Sequence, residues 1–266
     1  MLKILFIGDI CGRIGRQAVI KLLPQIKKEE KVDFVIANAE NSAHGSGITE
    51  SIIKELMEAG VDHITMGDHA FKNTKNLDVY EKYPILRPAN FPKNVPGNGY
   101  KIIEINNKKI LLINLIGRVF MKMDYDCPFR KIDEILGKFH LQTKSLSAII
   151  VDIHAEATSE KISLGHYLNE KVSAVLGTHT HIMTADQKVT KEGTAYITDV
   201  GMTGAADECI GTDKENIIKT YLTQISYPHV IPEKGRAILN SVLLEIDNKN
   251  CKAKKIKPIT KYVNIK

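Results

Sequence analysis

Val172-Ser173-Ala174-Val175-Leu176-Gly177-Thr178-His179-Thr180-His181 is the stretch on which the fold turns. Its first five residues are mostly apolar, with β-branched valines, and a glycine bounds them. That is the pattern of a buried strand, and the strand stops where the histidines begin. Two imidazoles therefore stand at the C-terminal end of a core strand. In an open α/β sheet this end collects ligands, because the loops there form a crevice on a rigid scaffold. Gly177 and the one-residue spacing let both rings turn toward one point. Taken alone, the pair is as compatible with unrelated polar contacts as with metal binding.

The other strand ends break that tie. Upstream, Ala148-Ile149-Ile150-Val151 is a second buried strand and ends in Asp152-Ile153-His154-Ala155-Glu156; downstream, Ala195-Tyr196-Ile197-Thr198 ends in Asp199-Val200-Gly201-Met202-Thr203-Gly204. The chain opens with the strand Leu2–Ile7, which runs into Gly8-Asp9, and a helix follows over Ala18–Lys28. Gly8, Gly12 and Gly15 shape that turn, yet the spacing is not Gly-x-Gly-x-x-Gly, and Asp9 would repel a pyrophosphate without a cation between them. Phe34-Val35-Ile36-Ala37 ends in Asn38-Ala39-Glu40-Asn41. Thr49 caps a helix through Met57, Gly60 closes it, and the strand Val61–Met66 runs into Gly67-Asp68-His69. Three consecutive strands thus deliver a carboxylate to the same edge, which scattered surface acids do not readily do.

The remaining pattern supplies the frame. Tyr100–Ile105 and Ile110–Leu115 about Asn106-Asn107 read as a hairpin, so the sheets are not purely parallel. Helices are expected over Ile132–Phe139, Lys161–Glu170 and Lys214–Leu222, and two last strands over Ala237–Glu245 and Ala253–Thr260. With 266 residues, 43% of them hydrophobic, the chain is expected to fold as one domain over 1–266. No apolar run approaches the roughly 20 residues of a membrane span, and no signal-peptide pattern opens the sequence, so a cytoplasmic protein without a membrane partner is expected. Cys11, Cys127, Cys209 and Cys251 lack a Cys-x-x-Cys pair and suggest neither a disulfide framework nor a thiolate zinc site. The formal charge of +6 is mostly lysine spread over helices and the tail, which reads as solvated surface; it admits RNA as a partner without specifying it. Self-association is left open.

Asp9, Glu40, Asn41, Asp68, His69, His154, His179 and His181 form the resulting constellation. Oxygen and imidazole donors without thiolate suit manganese, iron or zinc. The set exceeds the needs of one ion, whereas two ions about 3.5–4 Å apart would use nearly all of it, the usual apparatus for displacement at phosphorus.

These residues also carry a resemblance. Gly8-Asp9, Gly67-Asp68-His69, Asp152-x-His154 and Gly177-x-His179-x-His181 resemble the motif series of the calcineurin-like metallophosphoesterases. Asn38-Ala39-Glu40-Asn41, His154-Ala155-Glu156-Ala157-Thr158-Ser159-Glu160-Lys161, His179-Thr180-His181 and Asp199-Val200-Gly201-Met202-Thr203-Gly204 resemble more closely the bacterial YmdB-like family. The match runs over nearly the whole chain. It implies a four-layer α/β/β/α sandwich with two mixed sheets, a centre of two metal ions, iron foremost, and phosphodiesterase activity on 2′,3′-cyclic or 3′,5′-cyclic nucleotides. Carried over, Asp9, Glu40, Asn41 and His181 would hold one ion, and Glu40, Asp68, His154 and His179 the other, with Glu40 as bridge. A metal-bridged hydroxide would attack phosphorus, and His69 would be the proton donor. The superfamily's Asp-x-His is Asp9-Ile10-Cys11 here, its Gly-Asn-His is Gly67-Asp68-His69, and the aromatic-Asp that follows is Phe71-Lys72. A different class of function also fits: a regulatory or RNA-associated metal-binding protein whose phosphoesterase turnover is incidental.

Overall fold

The computed structural model describes residues 1–139 and 145–266. In chain order the elements are β1 (Leu2–Ile7), β2 (Asp9–Ile10), α1 (Gly12–Glu30), β3 (Phe34–Asn38), α2 (Glu50–Glu58), β4 (His63–Thr65), α3 (Val79–Lys82) and β5 (Ile85–Leu86). Then follow β6 (Tyr100–Ile105), β7 (Lys108–Ile116), α4 (Pro128–Phe139), β8 (Ala148–His154), α5 (Thr158–Tyr167), β9 (Ala174–Thr178) and β10 (Lys188–Val189). The chain finishes with β11 (Ala195–Ile197), β12 (Met202–Ala205), α6 (Lys214–Thr223), β13 (Gly235–Asp247) and β14 (Lys252–Ile265).

Two mixed sheets result. The first has the order β2-β12-β13-β1-β3-β4-β5, with β14 paired to β13; the second runs β10-β11-β9-β8-β7-β6. β1, β3, β4 and β5 are mutually parallel, as are β7, β8, β9 and β11. Parallel neighbours end at the same edge, so the carboxylate-bearing turns of the first sheet and the histidine-bearing turns of the second each gather there. The hairpin of β6 and β7 closes through Asn106 (φ 48°) and Asn107 (φ 62°), left-handed residues that match the twist of a two-residue turn.

Alternation along the strands builds the layers. On β1, Leu5 and Ile7 face α1 and α2, while Leu2, Ile4 and Phe6 face the second sheet. On β7, Ile110 and Leu112 point into the space between the sheets, and Leu111, Ile113 and Leu115 point outward to α4 and α5. Strands buried on both faces read as continuous apolar runs, which is why the sequence shows no alternation there. The order is helix, sheet, sheet, helix, the expected four-layer sandwich. Phe6 is fully buried in its middle, where truncation to alanine costs about 3–5 kcal/mol.

Boundaries differ from the sequence reading at several elements, among them β14, which runs to Ile265 rather than Thr260. α1 starts at Gly12, six residues before Ala18, a start the sequence does not mark because the N-cap residue Cys11 makes no side-chain cap hydrogen bond. α5 spans Thr158–Tyr167, beginning and ending three residues before the expected range. Met202–Ala205, expected as loop, is β12, held between β2 and β13 with the Asn240 amide donating to the Met202 carbonyl at 3.0 Å. Among the described residues no helix is long and apolar enough to cross a membrane.

Candidate metal centre

All eight residues singled out from the sequence meet at one place, between the C-terminal edges of the two sheets. Asp9 begins β2, Glu40 and Asn41 follow β3, and Asp68 and His69 follow β4. From the other sheet, His154 ends β8, while His179 and His181 follow β9. Glu40, Asp68, His154 and His179 each place a ligand atom within 4.8 Å of the others. His154 Nε2 lies 3.3 Å from Asp68 Oδ1 and 3.4 Å from Glu40 Oε1, and His179 Nδ1 lies 3.6 Å from Asp68 Oδ1. Donors about 2.1 Å from a common ion and roughly at right angles are separated by about 3 Å, so these spacings suit one first-row cation.

Beside them stand Asp9, Asn41 and His181. The Asn41 amide bridges two rings, with Oδ1 2.7 Å from His69 Nδ1 and Nδ2 3.1 Å from His181 Nε2. Asp9 is fully buried; its Oδ2 accepts the His179 backbone N–H at 3.1 Å, and its Oδ1 has no hydrogen-bond partner among the described residues. A buried carboxylate oxygen without a donor is costly, and a cation would satisfy it. The donor set fits a metal on this observation as well as on its spacing.

Supporting groups aim the ligands. His154 Nδ1 donates to Thr178 Oγ1 at 2.9 Å, and that hydroxyl donates to Asp152 Oδ1 at 2.8 Å, leaving Nε2 turned toward Glu40 and Asp68. Thr65 Oγ1 donates to the other Asp152 oxygen at 2.6 Å. Lys161 and Asp199, both fully buried, pair at 2.7 Å, and Asp199 also accepts the Thr180 N–H and hydroxyl, pinning the turn between His179 and His181. Those two histidines take φ values of 98° and 66°, left-handed conformations that cost a side-chain-bearing residue of order 1–3 kcal/mol and cluster at functional sites. Gly67 is needed for space, since a Cβ there would overlap the His154 ring and Glu40 Oε2. Thr178 and Asp152 lie inside the motif stretches quoted above, but their spacing in sequence does not disclose the relay they form. Lys161 closes one of the motif stretches quoted above, but the sequence does not disclose that its ammonium is buried against Asp199.

Burial opposes charge throughout the centre, and the neighbours decide which charges survive. Against that burial, Glu40, Asp68 and Asp9 hold His154 well above the usual histidine range. Glu40, also against burial, is held well below the carboxylate range by the charge and hydrogen bond of His154 and by His69. Asp68 is lowered in the same way, against burial, chiefly by the His154 hydrogen bond. For Asp9 burial prevails and the carboxyl is raised. Burial and the His154 charge push His179 down to about 4. His181, despite burial, is raised by Cys11 and Asp9. Burial is also the cause that pushes Asp152 up to about 7. His69 is raised, burial being outweighed by its hydrogen bond to Glu40 and by the charges of Glu40 and Asp68.

The centre floors an open cleft of about 300 Å³ lined by Glu40, Asn41, His69, Glu156, His179, Thr180, His181 and Ile210. Glu156 reaches His179 Nε2 at 3.2 Å. Next to the cleft Phe71, Phe91 and Tyr125 pack ring to ring at 5.4 and 4.9 Å. Burial and the nearby charges of Asp68 and Glu40 push the Tyr125 hydroxyl up to about 12.

Comparison with known proteins gives the chain a family and a fold. The family model described as YmdB-like protein matches residues 5–259. A protein of Bacillus subtilis (strain 168) named 2′,3′-cyclic-nucleotide 2′-phosphodiesterase is 44% identical over 259 residues, which is 97% of this chain and 96% of that one. The structure of a novel phosphatase from Mycoplasma pneumoniae superposes with a TM-score of 0.91 at 34% identity, covering 99% of this chain and 94% of that one. A hypothetical protein from Thermus thermophilus superposes with a TM-score of 0.90 at 37% identity, over 98% and 99% of the two chains.

Proposed function

The chain belongs to the YmdB-like protein family, and from that premise we propose that it is a metal-dependent phosphodiesterase that opens 2′,3′-cyclic nucleotides. The observation that carries this reading is the cluster of Glu40, Asp68, His154 and His179 at the floor of an open cleft. The name of the Bacillus subtilis relative supports the substrate class.

Two ions are assigned. Asp9, Glu40, Asn41 and His181 would hold one, and Glu40, Asp68, His154 and His179 the other, with Glu40 shared; iron is the first choice and manganese or zinc the alternatives. When bound, the ions supply Lewis acidity, lowering the pKa of water and neutralising phosphoryl oxygens. The protein's own groups do the rest. His154 is aimed by Thr178 and Asp152, and the Glu40 and Asp68 carboxylates stay ionised in a buried place. His69 has its Nδ1 engaged by Asn41 Oδ1, so Nε2, 3.6 Å from Asp68 Oδ2, is the atom that hands a proton to the departing ribose oxygen.

Metal counting on protein loaded with manganese or ferrous iron, joined to hydrolysis of 2′,3′-cyclic and 3′,5′-cyclic nucleotides, tests this. About two ions per chain and release of a nucleotide monophosphate from the 2′,3′-cyclic substrate are expected. Failure to take up metal, or uptake without hydrolysis of either cyclic nucleotide, overturns it.

A further inference from the structure

Next to the metal centre lies a basic groove that the proposed chemistry does not use. One cleft of about 430 Å³ is lined by the cations Lys93, Arg118, Arg130 and Lys131 and the acids Asp126 and Glu134, beside Tyr125; a second, of about 330 Å³, shares Lys93, Lys131 and Glu134 and adds Phe91. Lys131 and Lys138 already neutralise Glu134, at 2.8 and 2.9 Å. Among the described residues the Lys93, Arg118 and Arg130 side chains make neither ion pair nor hydrogen bond. Arg130 and Lys131 also occupy the first turn of α4, which holds no acidic residue. Cations at the positive end of a helix are disfavoured until an anion joins them.

The groove is tied to the metal centre by backbone. Asn114 Nδ2 donates to the carbonyls of Met66 and Leu86 at 2.6 and 3.0 Å, and Ala89 N–H donates to the Asn114 carbonyl at 2.7 Å. Asn90 Nδ2 donates to the carbonyls of Ile116, which pairs in register with His154, and of Asp126. Glu160 accepts the backbone N–H groups of Arg118 and Val119 at 2.9 and 3.1 Å, anchoring the start of the Arg118 loop. The loops that carry Phe91, Lys93, Arg118 and Tyr125 are therefore fixed beside Gly67-Asp68 and His154. Unpaired cations along a groove are the elements with which proteins track the phosphates of single-stranded nucleic acid.

We propose that this groove binds the phosphates of an RNA strand whose 3′ end, closed as a 2′,3′-cyclic phosphate, enters the metal centre. This rests on the phosphodiesterase reading and names its substrate as an RNA terminus rather than a free nucleotide. Water oxygen bonds to phosphorus, the bond from phosphorus to the 2′-oxygen breaks, and that oxygen takes a proton, leaving a 3′-phosphate end. The class of reaction that supplies such ends is RNA cleavage by attack of the 2′-hydroxyl on its own phosphodiester.

The test compares a short single-stranded oligoribonucleotide ending in a 2′,3′-cyclic phosphate with the matching cyclic mononucleotide, for the native protein and for Lys93→Ala/Arg130→Ala. The native protein is expected to favour the oligonucleotide at least about tenfold in kcat/KM at low salt, and the double variant to lose that preference with mononucleotide turnover intact. Binding of a labelled oligoribonucleotide with a 3′-phosphate end, which needs no turnover, should weaken in the variant and its salt slope fall by about 1.4. Equal kcat/KM for both substrates in the native protein, or binding indifferent to the two substitutions, overturns the groove. Should neither cyclic substrate turn over while the strand still binds through Lys93 and Arg130, the phosphodiesterase reading fails and the groove stands.

Discussion

His154 Nε2 and His179 Nδ1 face each other across 3.0 Å, from the ends of adjacent parallel strands. Two bare imidazole nitrogens at that separation repel as lone pairs or share a proton, and a common cation relieves both. His154→Ala or His179→Ala is therefore expected to lose one of the two proposed ions and most turnover together. Metal analysis of the purified variants checks it; a full complement of metal in either variant removes that residue from the centre.

His69 stands differently, partly exposed to the cleft and hydrogen-bonded through Asn41 and Glu40. His69→Ala should keep its metal yet lose on the order of 10²–10⁴-fold in turnover of a cyclic nucleotide. A leaving group that needs no protonation should suffer far less. If an activated nitrophenyl ester and a cyclic nucleotide fall equally, His69 is not the proton donor.

Gly67 and Gly137 give a paired test of crowding. Gly67→Ala pushes a methyl group into His154 and Glu40, whereas at Gly137, on α4, an added Cβ meets nothing within 4 Å among the described residues. A shift of about 1 Å in the ligands is enough for a loss on the order of 10²-fold. Gly137→Ala should instead leave turnover unchanged and raise stability by about 0.5–1 kcal/mol. Equal activity in the two variants would show that the ligands tolerate displacement.

His63, on β4, links stability to pH. Burial pushes its pKa down to about 4, from an ordinary value of 6.5, so the unfolded chain binds the extra proton first. Stability is complete above the unfolded value and drains away as pH falls from 6.5 toward 4. At about 1.4 kcal/mol per unit the loss reaches up to about 3 kcal/mol. His63→Leu should flatten the fall in melting temperature between about pH 7 and pH 5. An equally steep fall in the variant assigns the acid sensitivity elsewhere.

Much of this is legible in the sequence because glycine and a change from apolar to polar residues mark strand ends, and strand ends carry the site. Asp9, Glu40, Asp68, His154 and His179 all announce themselves in that way. Which strand joins which sheet is not legible, because β1 and β7 are apolar on both faces. β12 escapes a sequence reading because Met202-Thr203-Gly204-Ala205 lacks the β-branched run of a strand and is held by partners distant in sequence. The left-handed backbone of His179 and His181 and the buried Lys161–Asp199 pair arise only once the sheets have met.

The two sheets divide the donors by element. Carboxylate and amide oxygens come from Asp9, Glu40, Asn41 and Asp68 on the first sheet; the imidazole nitrogens of His154, His179 and His181 come from the second. Of the seven residues assigned to the ions, neither sheet supplies both oxygen and nitrogen donors, and Asp9 and His181 lie 172 residues apart in sequence. The hydrophobic faces must dock before a complete site exists, so an ion bound there would act as a latch on a closure already made.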